Sequence, residues 1–254
     1  MYSNYYRPRN TNIVIRLIII NAIVFVMQMI IQKGYMTYYF GLVPRLVIQK
    51  HFYWQIFTSM FLHGGFMHLF LNMFALYIFG VELEYYWGGK KFLQYYLICG
   101  IGAGIVSLLS YYNSPIPIIG ASGAIYGILL AYALLFPDRY IYLYFFIPIK
   151  AKYLVGLFII FEFFSGISGG GNIAHFAHLG GILTGFIYLK WSYIISKLKI
   201  PNSLKGEKQD DWHDNYNNFD SEVDRILKKA AVNGVESLTK KELEILRNAR
   251  NKYH

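Results

Sequence analysis

The chain is written in long apolar runs broken by short polar stretches, and the length of each run limits what it can become. A helix needs about 20 apolar residues to cross a hydrocarbon core roughly 30 Å thick. Six runs approach that length, at residues 12–32, 66–86, 92–112, 121–136, 151–166 and 173–195. The pattern predicts an all-α membrane protein with six transmembrane helices. The fourth run is short, about 24 Å at 1.5 Å per residue, and it opens on the stretch IGASGAIYG, residues 119–127. Its start is therefore expected below the membrane surface. Residues 33–65 hold Pro44, His51 and Trp54 among many Tyr and Phe. This segment is too polar to cross as a helix, and its aromatic content suits the interface, so it is expected to lie in the outer leaflet against the bundle. No small-residue cleavage site follows the first run, which reads as a retained span and not a signal peptide.

The pattern changes after Pro201. An Asn/Asp-rich linker is expected near residues 209–220, followed by two short amphipathic helices. In the first, Val223, Ile226, Leu227, Ala230 and Ala231 fall at helical spacing and Gly234 ends the run. The second opens on a capping box, Thr239 to Glu242, ahead of Leu243, Ile245 and Leu246. The domain reading is an N-terminal cytosolic segment over 1–11, a membrane domain over 12–199, a linker over 200–220 and a small cytosolic helical hairpin over 221–254.

Composition agrees with the pattern: 56% hydrophobic and only 15% charged residues is far from an ordinary soluble domain. The net charge of +10 belongs entirely to residues 1–200, which hold fourteen Lys and Arg against Glu82, Glu84, Asp138 and Glu162, while the tail has ten of each sign. Those basic residues flank apolar runs and do not gather into a patch, which points to a lipid bilayer and away from nucleic acid. If the N-terminus is cytoplasmic, the inside holds Arg7, Arg9, Arg16, Lys90, Lys91, Arg139, Lys150, Lys152, Lys190, Lys197 and Lys199, and the outside only Lys33, Arg45 and Lys50. The bias of Lys and Arg toward the cytoplasm then predicts a multi-pass protein of the cell (inner) membrane with both termini inside. The single cysteine, Cys99, excludes a disulfide framework and a cysteine metal site.

Polar groups at membrane depth are costly unless they are paired or line a wet cavity, so each is a functional candidate. Three groups qualify: Ser122 between Gly120 and Gly123; His68 and Asn72, four apart on one helix face; and His175 and His178 ahead of Gly181 and Gly185. Gly123 with Gly127, and Gly181 with Gly185, are small-xxx-small pairs that let helices approach closely in lipid. If those faces meet, Ser122 and His178 come together, and an imidazole can take the serine proton and return it to a leaving amine. His68, Asn72 and the Ser122 backbone N–H are candidate oxyanion donors. Each signal also has a packing explanation: Ser122 as a small interface residue, His68 with Asn72 as an interhelical hydrogen-bonded pair, His178 bonded to a neighbouring carbonyl. Tyr126, one turn after Ser122, is a candidate to stack on His178 or simply to pack in the core. Glu162 is expected near the outer end of the fifth run, hydrated at the interface. His175 and His178 have HxxH spacing, but no carboxylate or cysteine accompanies them in sequence, so no metal is expected.

In combination these motifs resemble the rhomboid intramembrane serine proteases of bacterial type, across residues 12–195. GASG resembles the family's GxSG, AHLGGILTG its AHxxGxxxG, and HLFLN its HxxxN. The resemblance implies a six-helix bundle with a dyad of Ser122 and His178 in a water-filled cavity open to the outer face, an oxyanion hole formed with His68 and Asn72, and structural roles for His63 and Glu82. The first loop lacks the Trp-Arg pair that many members carry. The expected activity is endopeptidase cleavage of transmembrane segments in other membrane proteins, those with Gly, Ala or Pro near their outer end, with no cofactor. The tail is similar to extensions on some bacterial members. The alternatives are a catalytically silent rhomboid-like scaffold that binds transmembrane helices, and a metal or small-ion transporter using His68, His175 and His178. Neither the substrate nor the oligomeric state follows from the sequence.

Overall fold

Helices form at every one of the six long runs. The computed structural model describes residues 12–31, 33–143, 147–167, 174–197 and 212–253. The first run is α1 (Ile13–Ile30), after which three short helices cross the aromatic loop, α2 (Lys33–Phe40), α3 (Pro44–Gln49) and α4 (Gln55–Thr58). Two long helices follow, α5 (Phe66–Trp87) and α6 (Gly89–Ser110), then α7 (Ser122–Leu135). Next come a hairpin of β1 (Tyr140–Leu143) and β2 (Ile147–Lys150), α8 (Ala151–Ile167) and α9 (Ala174–Lys197).

Among the described residues, α1, α5 and α6 are long and apolar enough to cross a membrane, and α7 is apolar but shorter. At 14 residues, α7 is about 21 Å long. It packs against α5, α6 and α8, and ten of its residues are buried. The outward faces carry Ile23, Met29, Ile30, Phe66, Phe70 and Leu71, all exposed. A belt of this kind suits a hydrocarbon solvent. The chain is a membrane protein with several apolar helices.

A helix that starts among apolar neighbours leaves its first N–H groups without intrahelical partners. Asn12 supplies no side-chain cap to α1. Instead Glu84, buried in α5, accepts the N–H groups of Ile13 and Val14, each at 2.9 Å. A carboxylate there also complements the positive end of the helix dipole. The family resemblance implies a structural role for Glu82 of FGVELE. Glu82 is half-buried and accepts from Arg139 at 2.5 Å and from the Tyr132 hydroxyl at 2.7 Å, while Glu84 is the one fully buried in the bundle. Residues two apart on a helix point to nearly opposite sides, so only one of the two can face α1.

The hairpin between α7 and α8 pairs Tyr140 with Lys150 and Leu143 with Ile147. These two strands depart from the all-α pattern read in the sequence. With two strands, both are edges, and Pro148 is tolerated in β2 for that reason.

One compact unit ends at Trp191 and a second runs from Ser192 to His254. The second contains α10 (Trp212–Asn233) and α11 (Lys240–Tyr253). α10 begins at Trp212, inside the stretch read as a linker over 200–220, of which residues 200–211 lie outside the described residues. Trp212, Tyr216 and Phe219 extend the stripe of Val223 and Ile226 backwards at steps of three and four. The capping box forms as the spacing predicts: the Glu242 carboxylate accepts the Thr239 N–H at 2.8 Å, and Thr239 Oγ1 accepts the Glu242 N–H at 3.3 Å. The Thr239 N–H and the Lys229 ammonium hold the Glu242 carboxyl down at about 2.

Glu84→Gln removes the charge that caps α1 and is expected to cost about 1.5 to 3 kcal/mol, read as a lower melting temperature in detergent. An unchanged melt would mean that water or lipid headgroups cap α1 equally well.

Candidate active site

The strand-like segment that leads into α7 is tied to the first loop. Leu42 and Ile118 exchange backbone hydrogen bonds at 3.0 and 2.8 Å, and the Gly120 N–H donates to the Ser59 carbonyl at 3.0 Å. Gly120 then turns the chain into α7 with φ +128°, a conformation that favours glycine. A methyl at Gly120 would lie 2.9 Å from His68 Nε2 and 3.7 Å from Ser122 Oγ. His68 and Ser122 thus face a common space that any larger residue at position 120 would fill. Ser122 is the first residue of α7, so its N–H has no intrahelical acceptor.

The two glycine pairs meet. A methyl at Gly181 would land on the Gly123 carbonyl, and one at Gly127 would press on Cys99 and lie 3.2 Å from the Gly181 carbonyl. With α7 and α9 in backbone contact, Ser122 Oγ sits 2.8 Å from His178 Nε2. The Tyr126 ring stacks on the His178 ring at 4.2 Å and 13°. A cavity of about 30 Å³ beside Ser122, lined by Ser59, Ser107, Gly120 and Ala177 among others, has room for a water molecule.

The remaining sequence candidates fall around this pair. His68 Nδ1 accepts the Gly64 N–H at 3.1 Å, and the His63 ring meets the His68 ring edge-on at 5.1 Å. His63 is itself held by Gln28 of α1, which accepts its N–H at 2.9 Å and donates to its carbonyl at 3.3 Å. Asn72 donates to the His68 carbonyl at 2.7 Å, and its Oδ1 is buried without a partner. Asn72 is thus tied to His68 and not to Ser122.

Glu162 overturns the expectation made for it. It is 3% exposed, inside the bundle and not hydrated at an interface. Its Oε2 lies 2.5 Å from His175 Nδ1, its Oε1 accepts the Tyr126 hydroxyl, and the same Oε1 lies 2.9 Å from His178 Nδ1. That last contact has ion-pair distance, yet His178 Nδ1 makes no hydrogen bond. The premise that no carboxylate accompanies the histidine pair also fails. One donor atom each from Glu162, His175 and His178 lie within 4.8 Å of one another, a His₂Glu set of the type zinc accepts. Motif spacing carries no signal for this cluster, because Glu162 comes from another helix. Its only sequence mark is a single acid in an apolar run.

The Rhomboid domain family matches residues 50–194, more than half of the chain, a range that includes His68, Asn72, Ser122, Tyr126, Glu162, His175 and His178. This chain belongs to the rhomboid family. RHOMBOID-like protein 6, mitochondrial, of Arabidopsis thaliana is 36% identical over 143 residues, covering 55% of this rhomboid and 44% of the relative. Rhomboid protease GluP of Bacillus subtilis is 35% identical over 149 residues, covering 58% and 27%. Rhomboid protein 1, mitochondrial, of Saccharomyces cerevisiae is 28% identical over 201 residues, covering 72% and 54%. This rhomboid spans about half or less of the length of the curated relatives it matches.

Gly181→Ala forces a methyl into backbone and is expected to lower the melting temperature by the equivalent of about 1 to 3 kcal/mol or more. Gly156→Ala in α8, where a methyl meets nothing within 4 Å, is the matched control and should melt like the parent. Equal melts for the two variants would remove the glycine contact as the determinant of the α7–α9 crossing.

Proposed function

We propose that this rhomboid is an intramembrane serine endopeptidase that cuts a transmembrane segment of another membrane protein, with Ser122 as nucleophile and His178 as base. The observation that carries the reading is the 2.8 Å contact between Ser122 Oγ and His178 Nε2. Ser122 Oγ attacks the carbonyl carbon of the scissile bond while His178 Nε2 takes the hydroxyl proton. That proton passes to the leaving amine as the C–N bond breaks. A water molecule then attacks the acyl-serine, gives a proton to Nε2, and regenerates the hydroxyl as the new carboxyl end departs.

The tetrahedral intermediate concentrates negative charge on one oxygen, which needs donors aimed at it. In this reading they are the Ser122 N–H, the His68 imidazole across the space in front of Gly120, and the second amide hydrogen of Asn72. The substrate is a transmembrane helix that unwinds near its outer end, where Gly, Ala or Pro weakens helical structure. No cofactor takes part. The architecture that goes with this is the bacterial-type six-span bundle over 12–199, in a cell (inner) membrane with both termini cytoplasmic by the bias of Lys and Arg, and a cytosolic helical tail.

Ser122→Ala is expected to abolish both cleavage of a single-span substrate and labelling by a fluorophosphonate probe, with the melting temperature retained. Turnover by that variant in a clean preparation would remove the protease reading and favour a silent helix-binding scaffold. His68→Ala and Asn72→Ala should each lower turnover about 100- to 1,000-fold with smaller effects on KM, and the double variant should be less than additive because both donors serve one charge. A purely structural pair predicts lower melting temperatures with normal turnover per probe-reactive site. Truncation after Lys199 should leave turnover within about threefold, since the catalytic groups named here lie in the first compact unit. Loss of activity by a folded truncated protein would make the tail part of the catalytic unit.

A further inference from the structure

A carboxylate inside apolar helices is expensive unless its neighbours compensate it. Glu162 is the buried acid of α8, and the groups that face it come from two other helices: Tyr126 on α7, and His175 and His178 on α9. Its two oxygens are used differently. Oε2 is taken by His175 at 2.5 Å. Oε1 receives the Tyr126 hydroxyl and stands 2.9 Å from Nδ1 of His178, the ring nitrogen opposite the one that meets Ser122. An acid that only tied α8 to α9 would need His175 alone. The second oxygen, oriented by a tyrosine whose ring also stacks on His178, is aimed at the far side of the imidazole.

We propose that Glu162 is the positioning residue for His178, holding the imidazole with its proton on Nδ1 and its lone pair on Nε2 toward Ser122, so that the pair operates as a Ser122–His178–Glu162 triad. The proposal rests on the roles given to Ser122 and His178 above. When Nε2 takes the serine proton, both ring nitrogens carry hydrogen and the ring becomes a cation. Glu162 stays ionised throughout and balances that charge. The proton on Nδ1 never leaves the ring, and the one on Nε2 goes on to the leaving amine. His178 Nδ1 makes no hydrogen bond at rest, and catalytic hydrogen bonds commonly tighten only when substrate is bound. Tyr126 and His175 fix the carboxylate and leave the imidazole the group that has to turn.

The test is the rate at which a fluorophosphonate probe labels Ser122 in the full-length protein, which needs no known substrate. Glu162→Gln keeps the shape of the side chain without its charge. It should lower the maximal labelling rate about 100-fold or more, leave the half-saturating probe concentration within about threefold, and shift the ¹⁵N resonances of His178 away from the Nδ1–H tautomer. Glu162→Asp should recover part of the rate. If Glu162→Gln does not fold, Tyr126→Phe serves in its place: it keeps the stacked ring, removes the donor to Oε1, and should slow labelling about tenfold. A normal labelling rate per folded molecule in these variants, with only a lower melting temperature, overturns the positioning role. So does zinc bound at one per chain and lost in Glu162→Gln, which would make the cluster a metal site. Failure of the parent protein to label at Ser122 would instead refute the protease reading itself.

Discussion

The contact between Gly123 and Gly181 is the constraint from which the rest of the site follows. Lipid tails are as apolar as leucine, so helices in a bilayer gain little from hiding apolar surface against each other and associate through close packing. Here packing has gone to the limit, with no room for a single methyl between α7 and α9. Ser122 directly precedes one of these glycines, and His178 lies three residues before the other. Once the backbones touch, the hydroxyl and the imidazole have little freedom to be anywhere but beside one another, at 2.8 Å. α6 contributes to the same seam, since a methyl at Gly123 or Gly180 would collide with Ala103 or Val106.

Around that seam, buried polar side chains each join parts of the chain that are far apart in sequence. Gln28 links α1 to the backbone of His63; Gln55 accepts the Val43 N–H at 3.0 Å and donates to the Tyr38 carbonyl at 2.7 Å; Glu84 caps α1 from α5; Glu162 gathers groups from α7 and α9. Removing one partner would leave the other polar and unpaired in an apolar interior, which costs more than the bond itself contributes. The first loop is therefore fixed to the bundle by directed bonds, and it carries Ser59, whose carbonyl holds Gly120 in place. The site is supported from the loop as well as from the helices.

What could be read from the chain divides along the range of the physics involved. Apolar run length is a local property, so a helix stands within a few residues of each run that predicted one. The Thr239 and Glu242 capping box is likewise closed within four residues and forms as written. Trp212, Tyr216 and Phe219 were hidden among Asn and Asp, and a window judged by polarity passed over a stripe that only its spacing reveals.

The sequence by itself determined that the chain enters a membrane, where its helices lie, and that two glycine-paired segments bring a serine and a histidine with them, because periodicity and close packing leave marks on neighbouring residues. The tertiary structure alone decided which acid in FGVELE turns inward, where an unmarked Glu162 would end up, and that Tyr126 both stacks on His178 and holds that carboxylate. Those choices depend on which face of one helix meets another. A single charge in an apolar run has the same local pattern whether it reaches water at an interface or is buried against two histidines from another helix.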